Sequence, residues 1–315
     1  MSNSTFRTVL KSKNNFKSIH HESSILLFGS CFSENIGKKL AYYKFDTTTN
    51  PYGTLFHPLA IEKAISDCVS LKKYNSKELI FHNELYHSFH HHSDFSCSTE
   101  KEVLTNINQT IVQNHDRLKK ASHLIITLGT AWVYKHLKTN TAVANCHKIP
   151  QQEFSKELLS SEEIYQSLKR IQKTTNLINP KIKIIYTLSP VRHLKDGISE
   201  NSLSKALLLA GIHKATKEEN IFYYPAYEIM MDDLRDYRFY GSDMIHPNET
   251  AIEYIWSNFV NEWISTSETV LTKIDIIQKG LAHKAFNPTS TAHLNFIKKL
   301  KRNIELLENE IPIKF

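Results

Sequence analysis

ILLFGSCFSENIG, residues 25–37, carries an apolar run that stops on a glycine and opens directly into a helical pattern. Ile25, Leu26, Leu27 and Phe28 are apolar without alternation, as in a strand buried on both faces. Gly29 ends the run, Ser30, Cys31 and Ser33 follow, and Ile36, Leu40 and Tyr43 then fall at helical spacing. In α/β folds such a strand end is the entry to a ligand site. The free N–H groups of the new helix favour negative charge there. A hydroxyl or thiol at the junction therefore has an anion-stabilising site beside it. A serine in the same place also serves as a helix cap.

Outward from this stretch the pattern repeats. Residues 123–128, HLIITL, end on Gly129; residues 182–188, IKIIYTL, end on Ser189-Pro190; residues 221–224, IFYY, end on Pro225. A further strand is expected in 44–56, KFDTTTNPYGTLF, where Asn50-Pro51-Tyr52-Gly53 is turn chemistry and Gly53 permits close backbone approach. Helical spacing appears between these runs, from Pro58 through Val69 and over 100–119, 161–177 and 200–217. Alternating strands and helices predict a mostly parallel sheet covered on both faces. The strand ends GSC, NPYG, LGT and SPVRH then gather at one carboxyl edge.

The 315 residues suffice for one large domain with additions or for two, and 41% hydrophobic content is ordinary for a buried core. A net charge of +7 is scattered, with KKLKR at 298–302 the densest cluster, which gives no nucleic-acid footprint. No apolar segment near the start and no run of membrane-span length occurs, so a cytoplasmic location is the default expectation. The four cysteines, Cys31, Cys68, Cys97 and Cys146, lack CxxC spacing and are expected as free thiols. His90, His91 and His92 interrupt an aromatic-rich stretch, 79–97, that reads as a hairpin. Consecutive strand residues point to opposite faces, so the three do not converge on one ion. Cys146-His147 lacks a second pair at ligand spacing. Neither a metal nor a cofactor is expected.

Asp243-Met-Ile-His246-Pro247 stands directly before a helix whose apolar face is Ala251, Ile252, Ile255, Trp256, Phe259 and Val260. Pro247 fits the first helical turn. Three residues of separation let Asp243 and His246 share one turn, the carboxylate orienting the imidazole that acts as general base. The nucleophile is then Ser30 or Cys31.

FGSCFSENIG, NPYGTLFHP, LGTAWVY, ANCHKIP, SPVRH with the later SKALLLA, and DMIHP resemble, in this order over about residues 25–260, the signature of the GSCFA family. The family is grouped with the SGNH (GDSL-like) hydrolases. That resemblance implies a flavodoxin-like three-layer α/β/α sandwich and hydrolysis or transfer of acyl groups by a Ser-His-Asp type of triad. SGNH enzymes usually read Gly-Asp-Ser in the first block. Laid over Gly29-Ser30-Cys31, register favours Cys31 and superfamily habit favours Ser30; both stand. An oxyanion hole is implied from the nucleophile's N–H, a glycine N–H in the position of Gly53, and an Asn side chain in the third block. Here that block reads Gly129-Thr130-Ala131-Trp132 without Asn, so Asn50 and Asn145 become candidate replacements. Arg192 and His193 either bind an anionic substrate group or, for the arginine, pair with a carboxylate at the sheet edge.

The domains expected are an N-terminal arm (1–22), the hydrolase-like domain (23–262) and a helical extension (263–315). Leu294, Ile297, Leu300, Ile304 and Leu307 of that tail cover the domain or bind a second copy. The function expected is an esterase acting on an O-acylated small molecule, carbohydrate or lipid. Its alternatives are an acyltransferase or a non-catalytic binding protein of the same fold.

Overall fold

The computed structural model describes residues 8–10 and 17–315. The first half of the chain forms β1 (Ser24–Gly29), α1 (Cys31–Tyr42), β2 (Asp46–Thr49), α2 (Pro58–Val69), β3 (Ile80–His82), β4 (Leu85–His87), α3 (Glu100–Lys120), β5 (His123–Leu128), β6 (Trp132–His136), β7 (Thr141–Val143) and β8 (Phe154–Leu158). The second half forms α4 (Ser161–Asn176), β9 (Lys183–Leu188), α5 (Ile198–Ala215), β10 (Ile221–Tyr224), α6 (Ala226–Glu228), α7 (Glu249–Trp263), α8 (Glu268–Ala282) and α9 (Thr291–Glu310).

Five strands pair in parallel in the order β2-β1-β5-β9-β10. Counted within the sheet alone this is 2-1-3-4-5, the flavodoxin-like winding, whose direction reverses between β1 and β5. The two-residue period of the strands sorts the core into layers. Leu26, Phe28, Leu124, Ile126 and Tyr186 face Ile61 of α2, Ile107 of α3, Leu168 of α4 and Leu208 of α5. Ile25, Leu27, Ile125 and Ile185 face Ile36 and Leu40 of α1 and Ile255 and Phe259 of α7. Burying one such side chain stabilises the fold by about 1.5–3 kcal/mol, so the continuous apolar runs set the layer order.

Three features depart from the sequence expectation. β6, β7 and β8 form a separate antiparallel sheet in the order β7-β6-β8, inserted between β5 and α4. Its strands are too short and too polar to stand out beside the buried runs. Pro247 lies outside α7; Asn248 is the cap, its Oδ1 accepting the Ala251 N–H at 3.1 Å. An amide oxygen satisfies an orphan helix donor, which a proline at the cap position cannot do. The hairpin expected over 79–97 is confined to β3 and β4, and the histidines after it are in irregular chain.

The tail packs on the domain. Tyr42 Oη donates to Asp275 at 2.9 Å, Gln278 Nε2 donates to Tyr42 O at 2.6 Å, and the Lys44 ammonium stands 4.7 Å from the centre of the Phe315 ring. Of the expected arm, residues 1–7 and 11–16 lie outside the described residues. Ile19 is tied to the end of α7, its N–H donating to Trp263 O at 2.9 Å. No helix among the described residues is long and apolar enough to cross a membrane.

Candidate active site

The end of β1 assigns different tasks to its small residues. Ser30 is fully buried, with extended backbone, and its Oγ accepts the Phe32 N–H at 3.3 Å as the cap of α1. Ser33 is buried too, its hydroxyl within hydrogen-bonding distance of Phe28 O (3.1 Å) and Thr127 Oγ1 (2.8 Å). Cys31 is the first helical residue and half-buried, with Sγ 3.6 Å from His246 Nε2. A sulfur–nitrogen hydrogen bond is compatible with that distance. His246 Nδ1 lies 2.7 Å from Asp243 Oδ2, completing a thiol–imidazole–carboxylate line.

Gly29 makes this corner possible. Its φ is +139°, and a Cβ there would come 2.2 Å from Thr127 O on the neighbouring strand. Gly29→Ala is expected to cost at least about 2 kcal/mol, read as a lower denaturant midpoint at unchanged slope, because backbone must move and the φ is unfavourable for alanine.

The loop carrying the imidazole is pinned from both ends. Gly241 N–H donates to His246 O at 2.7 Å, Met244 N–H to Gly241 O at 3.0 Å, and Asn248 N–H to Phe239 O at 2.9 Å. Met244 adopts a φ of +57° between Asp243 and His246. A non-glycine residue held there persists only where its surroundings over-determine the backbone. Asp243 Oδ1 accepts the N–H groups of Ile245 (2.9 Å) and His246 (3.0 Å). Those main-chain donors, with the His246 ring, hold its carboxyl down at about 2, so it is ionised throughout the working range. The thiol of Cys31 is pushed upward, chiefly by burial and then by Glu34, against the pull of its own N–H, the Phe32 N–H and Lys205. It therefore rests as the thiol near neutrality.

Lys205 was not among the residues singled out from sequence. It comes from α5, is fully buried, and donates from Nζ to Gly129 O and Ser189 O, both at 2.8 Å. Those carbonyls directly follow β5 and β9. Burial lowers its pKa to about 7, and the charge of Cys31 opposes that fall. The one available signal was a lone cation inside the apolar run SKALLLA.

The oxyanion and substrate candidates separate. Gly53 has a φ of +74°, and its N–H is committed to Asn50 O at 2.8 Å. The Gly129 N–H is committed to Phe56 O at 2.7 Å. The Gly53 N–H expected as an oxyanion donor is thus spent within the fold, and so is the N–H of Gly129. Asn145 closes a turn, its Oδ1 accepting the His147 N–H at 2.8 Å. Asn50 ties down the end of β1, its Oδ1 accepting the Gly29 N–H at 2.9 Å, while its buried Nδ2 has no partner among the described residues. Arg192 joins its N–H to Ile245 O at 3.4 Å and points its guanidinium at Met231 Sδ, also 3.4 Å. It pairs with no carboxylate among the described residues, contrary to the sheet-edge ion pair considered from sequence. His193 takes its N–H to Asn201 Oδ1 at 2.9 Å and sets its ring edge-on to Phe56. A cavity of about 630 Å³ at the outer edge of β10 includes none of these residues.

Among known proteins, a model described as "GSCFA family" matches residues 24–259, and one described as "GSCFA domain protein, C-terminal domain" matches residues 274–313. The second match spans the tail that the sequence resemblance left uncovered. No curated protein matches the chain. Among solved structures, a carbohydrate esterase family 3 protein from Talaromyces cellulolyticus is similar at 8% identity and a TM-score of 0.38, over 75% of this chain and 94% of that one. A mutant acetyl esterase with acetate ion is similar at 9% identity and 0.38, over 81% and 99%. An acetyl xylan esterase from the rumen bacterium Butyrivibrio proteoclasticus gives 9% and 0.33, over 84% and 66%. Likeness of that degree carries no further argument.

Proposed function

The chain belongs to the GSCFA family, and from that premise we propose that it is an acyl-ester hydrolase with Cys31 as nucleophile, His246 as general base and acid, and Asp243 as the group that orients His246. The observation that supports this best is the division of labour after β1: the Ser30 hydroxyl is buried in a cap, while the Cys31 thiol stands 3.6 Å from an imidazole backed by a carboxylate.

In the first half-reaction Sγ forms a bond to the acyl carbon and its proton passes to His246 Nε2. The carbonyl oxygen becomes an oxyanion. Two donors suit it: the Cys31 N–H, which has no intrahelical acceptor at the first helical position, and Asn50 Nδ2. Collapse breaks the bond to the leaving oxygen, which takes the proton from Nε2 and departs as an alcohol, leaving a thioester on Cys31. In the second half-reaction Nε2 takes a proton from water, the hydroxide adds to the thioester, and the thiol leaves reprotonated. An acceptor hydroxyl in place of water turns the same sequence into acyl transfer. The substrate is a small, glycan- or lipid-borne O-acyl ester, and Arg192, free of a carboxylate, is the side chain suited to an anionic group on it.

The test is hydrolysis of an activated aryl acetate by wild type and by His246→Ala at matched concentration. Loss of the general base is expected to lower the rate by at least about a hundredfold. Equal, slow rates in both would overturn the esterase assignment and favour ligand binding without turnover.

A further inference from the structure

A buried polar atom with no partner is rare enough to need a reason. His193 Nε2 is one: it is shielded from solvent and bonds to nothing among the described residues. Its place is specific. A Cβ added to Gly129 would stand 3.1 Å from this nitrogen, so the ring tip lies directly over the residue that follows β5. Gly29 and Thr127 are register partners across β1 and β5, and Cys31 and Gly129 are each two residues beyond that pair. The nucleophile and the ring therefore flank the same winding reversal, where crevices of such sheets open.

We propose, resting on the acyl-transfer assignment above, that His193 is a further catalytic residue whose Nε2–H is an oxyanion donor, facing the developing charge from the β9 side while Cys31 N–H and Asn50 Nδ2 face it from the β1–β2 side. The chemistry of the ring fits that duty. Burial, then the neighbouring Lys205, lowers its pKa to about 4, with Asp196 opposing and His246 adding to the fall. The imidazole is thus neutral at working pH and carries one N–H. A neutral donor can strengthen its bond as charge develops without placing a third cation beside Lys205 and the protonated His246. The donor left idle at rest is the one used in the transition state, which is how such a site lowers a barrier rather than merely binding substrate.

The ring is fixed by contacts other than the proposed one. Its backbone N–H is held by Asn201, and its ring packs edge-on against the Phe56 ring with centroids 5.6 Å apart. His193→Phe therefore keeps a planar aromatic ring there and deletes the proposed donor. Its kcat on an aryl acetate is expected to fall by about a hundredfold or more, with KM within about threefold. Alkylation of Cys31 by iodoacetamide forms no oxyanion and is expected to stay within about twofold of wild type. His193→Gln, which restores an amide donor, is expected to recover at least about tenfold of the lost kcat. Should His193→Phe lose its thermal transition, His193→Leu is measured in its place and judged by the same ratio of turnover to alkylation. A kcat that stays above a third of wild type, or a fall in alkylation that matches the fall in turnover, overturns the proposal. His246→Ala separates the two layers, since it should depress turnover and alkylation together. A wild type that turns over no acyl ester while Cys31 alkylates normally overturns the underlying assignment, and the oxyanion role with it.

Discussion

Cys31→Ala is expected to reduce acyl-ester turnover by at least about a thousandfold, while Ser30→Ala keeps it within about tenfold of wild type. The contrast follows from where the two side chains spend their polar atoms. The hydroxyl of Ser30 is enclosed and satisfies the second N–H of α1, and no base stands beside it among its hydrogen-bond partners. The thiol of Cys31 is directed at His246 Nε2. Removing the cap costs about 1 kcal/mol of stability and slightly loosens the helix entry. In the proposed mechanism, removing the thiol deletes the atom that bonds to substrate. Rates with the aryl acetate, thermal midpoints, and mass spectrometry of the peptide spanning β1 and α1 after acid quench measure both effects. The acetyl increment is expected in wild type and Ser30→Ala and lost in Cys31→Ala. An increment retained in Cys31→Ala and lost in Ser30→Ala would transfer the nucleophile to the serine and remove Cys31 from the mechanism. Because burial raises the thiol's pKa, its alkylation rate should climb with pH past neutrality, unlike that of a preformed thiolate.

Much of this site lay in the open in the sequence because its parts are strand ends. A continuous apolar run that stops on glycine announces both the strand and its carboxyl end, so GSC, NPYG, LGT and SPVRH could be placed at one edge before any coordinates. Asp243 and His246 were legible from spacing, since three residues allow one carboxylate to reach the ring and the intervening N–H groups together. What sequence could not decide was the use of each atom. Ser30 and Cys31 are adjacent and equally small; only the phase of α1 decides which one caps it. Gly53 was read as a close-approach position and Gly129 as a strand end, but a glycine's N–H is spent or free according to the carbonyls near it, here Asn50 O and Phe56 O. The uses of the many histidines were hidden for a related reason. His57 illustrates it: Nδ1 accepts the Ala60 N–H at the start of α2, and Nε2 lies 3.0 Å from Val143 O. One ring thus bridges two elements, a structural use that composition does not separate from chemistry. Lys205 was hidden because a lysine inside an apolar helix run ordinarily extends its stem to reach water.

Lys205 supplies the second large effect, through its titration. In the folded chain burial lowers its pKa to about 7, whereas the unfolded chain titrates near the ordinary value of 10.5. Below pH 7 both states hold the proton, and the folded state bears the cost of a buried ammonium whose hydrogen-bond partners among the described residues are two neutral carbonyls. Between pH 7 and 10.5 the unfolded chain binds the proton that the folded chain has released, so folding stability must rise with pH across that window. The slope approaches about 1.4 kcal/mol per pH unit, and a gain of about 2–3 kcal/mol is expected between pH 7 and 9. Lys205→Met in a Cys31→Ala background, where the coupled thiol is absent, isolates the effect: the parent minus the variant in urea unfolding should rise by that amount, with uncoupled groups cancelling. A flat difference would mean that the ammonium stays charged in the fold. The consequence for chemistry runs the same way. Near neutrality the proton on Lys205 is labile, and the ammonium is favoured when Cys31 carries negative charge and disfavoured when it does not. Thiolate and ammonium therefore stabilise each other, and Lys205→Met should shift the pH profile of Cys31 alkylation upward even where the variant is fully folded. A loss of stability without that shift would leave Lys205 as a tie between the ends of β5 and β9 and nothing more.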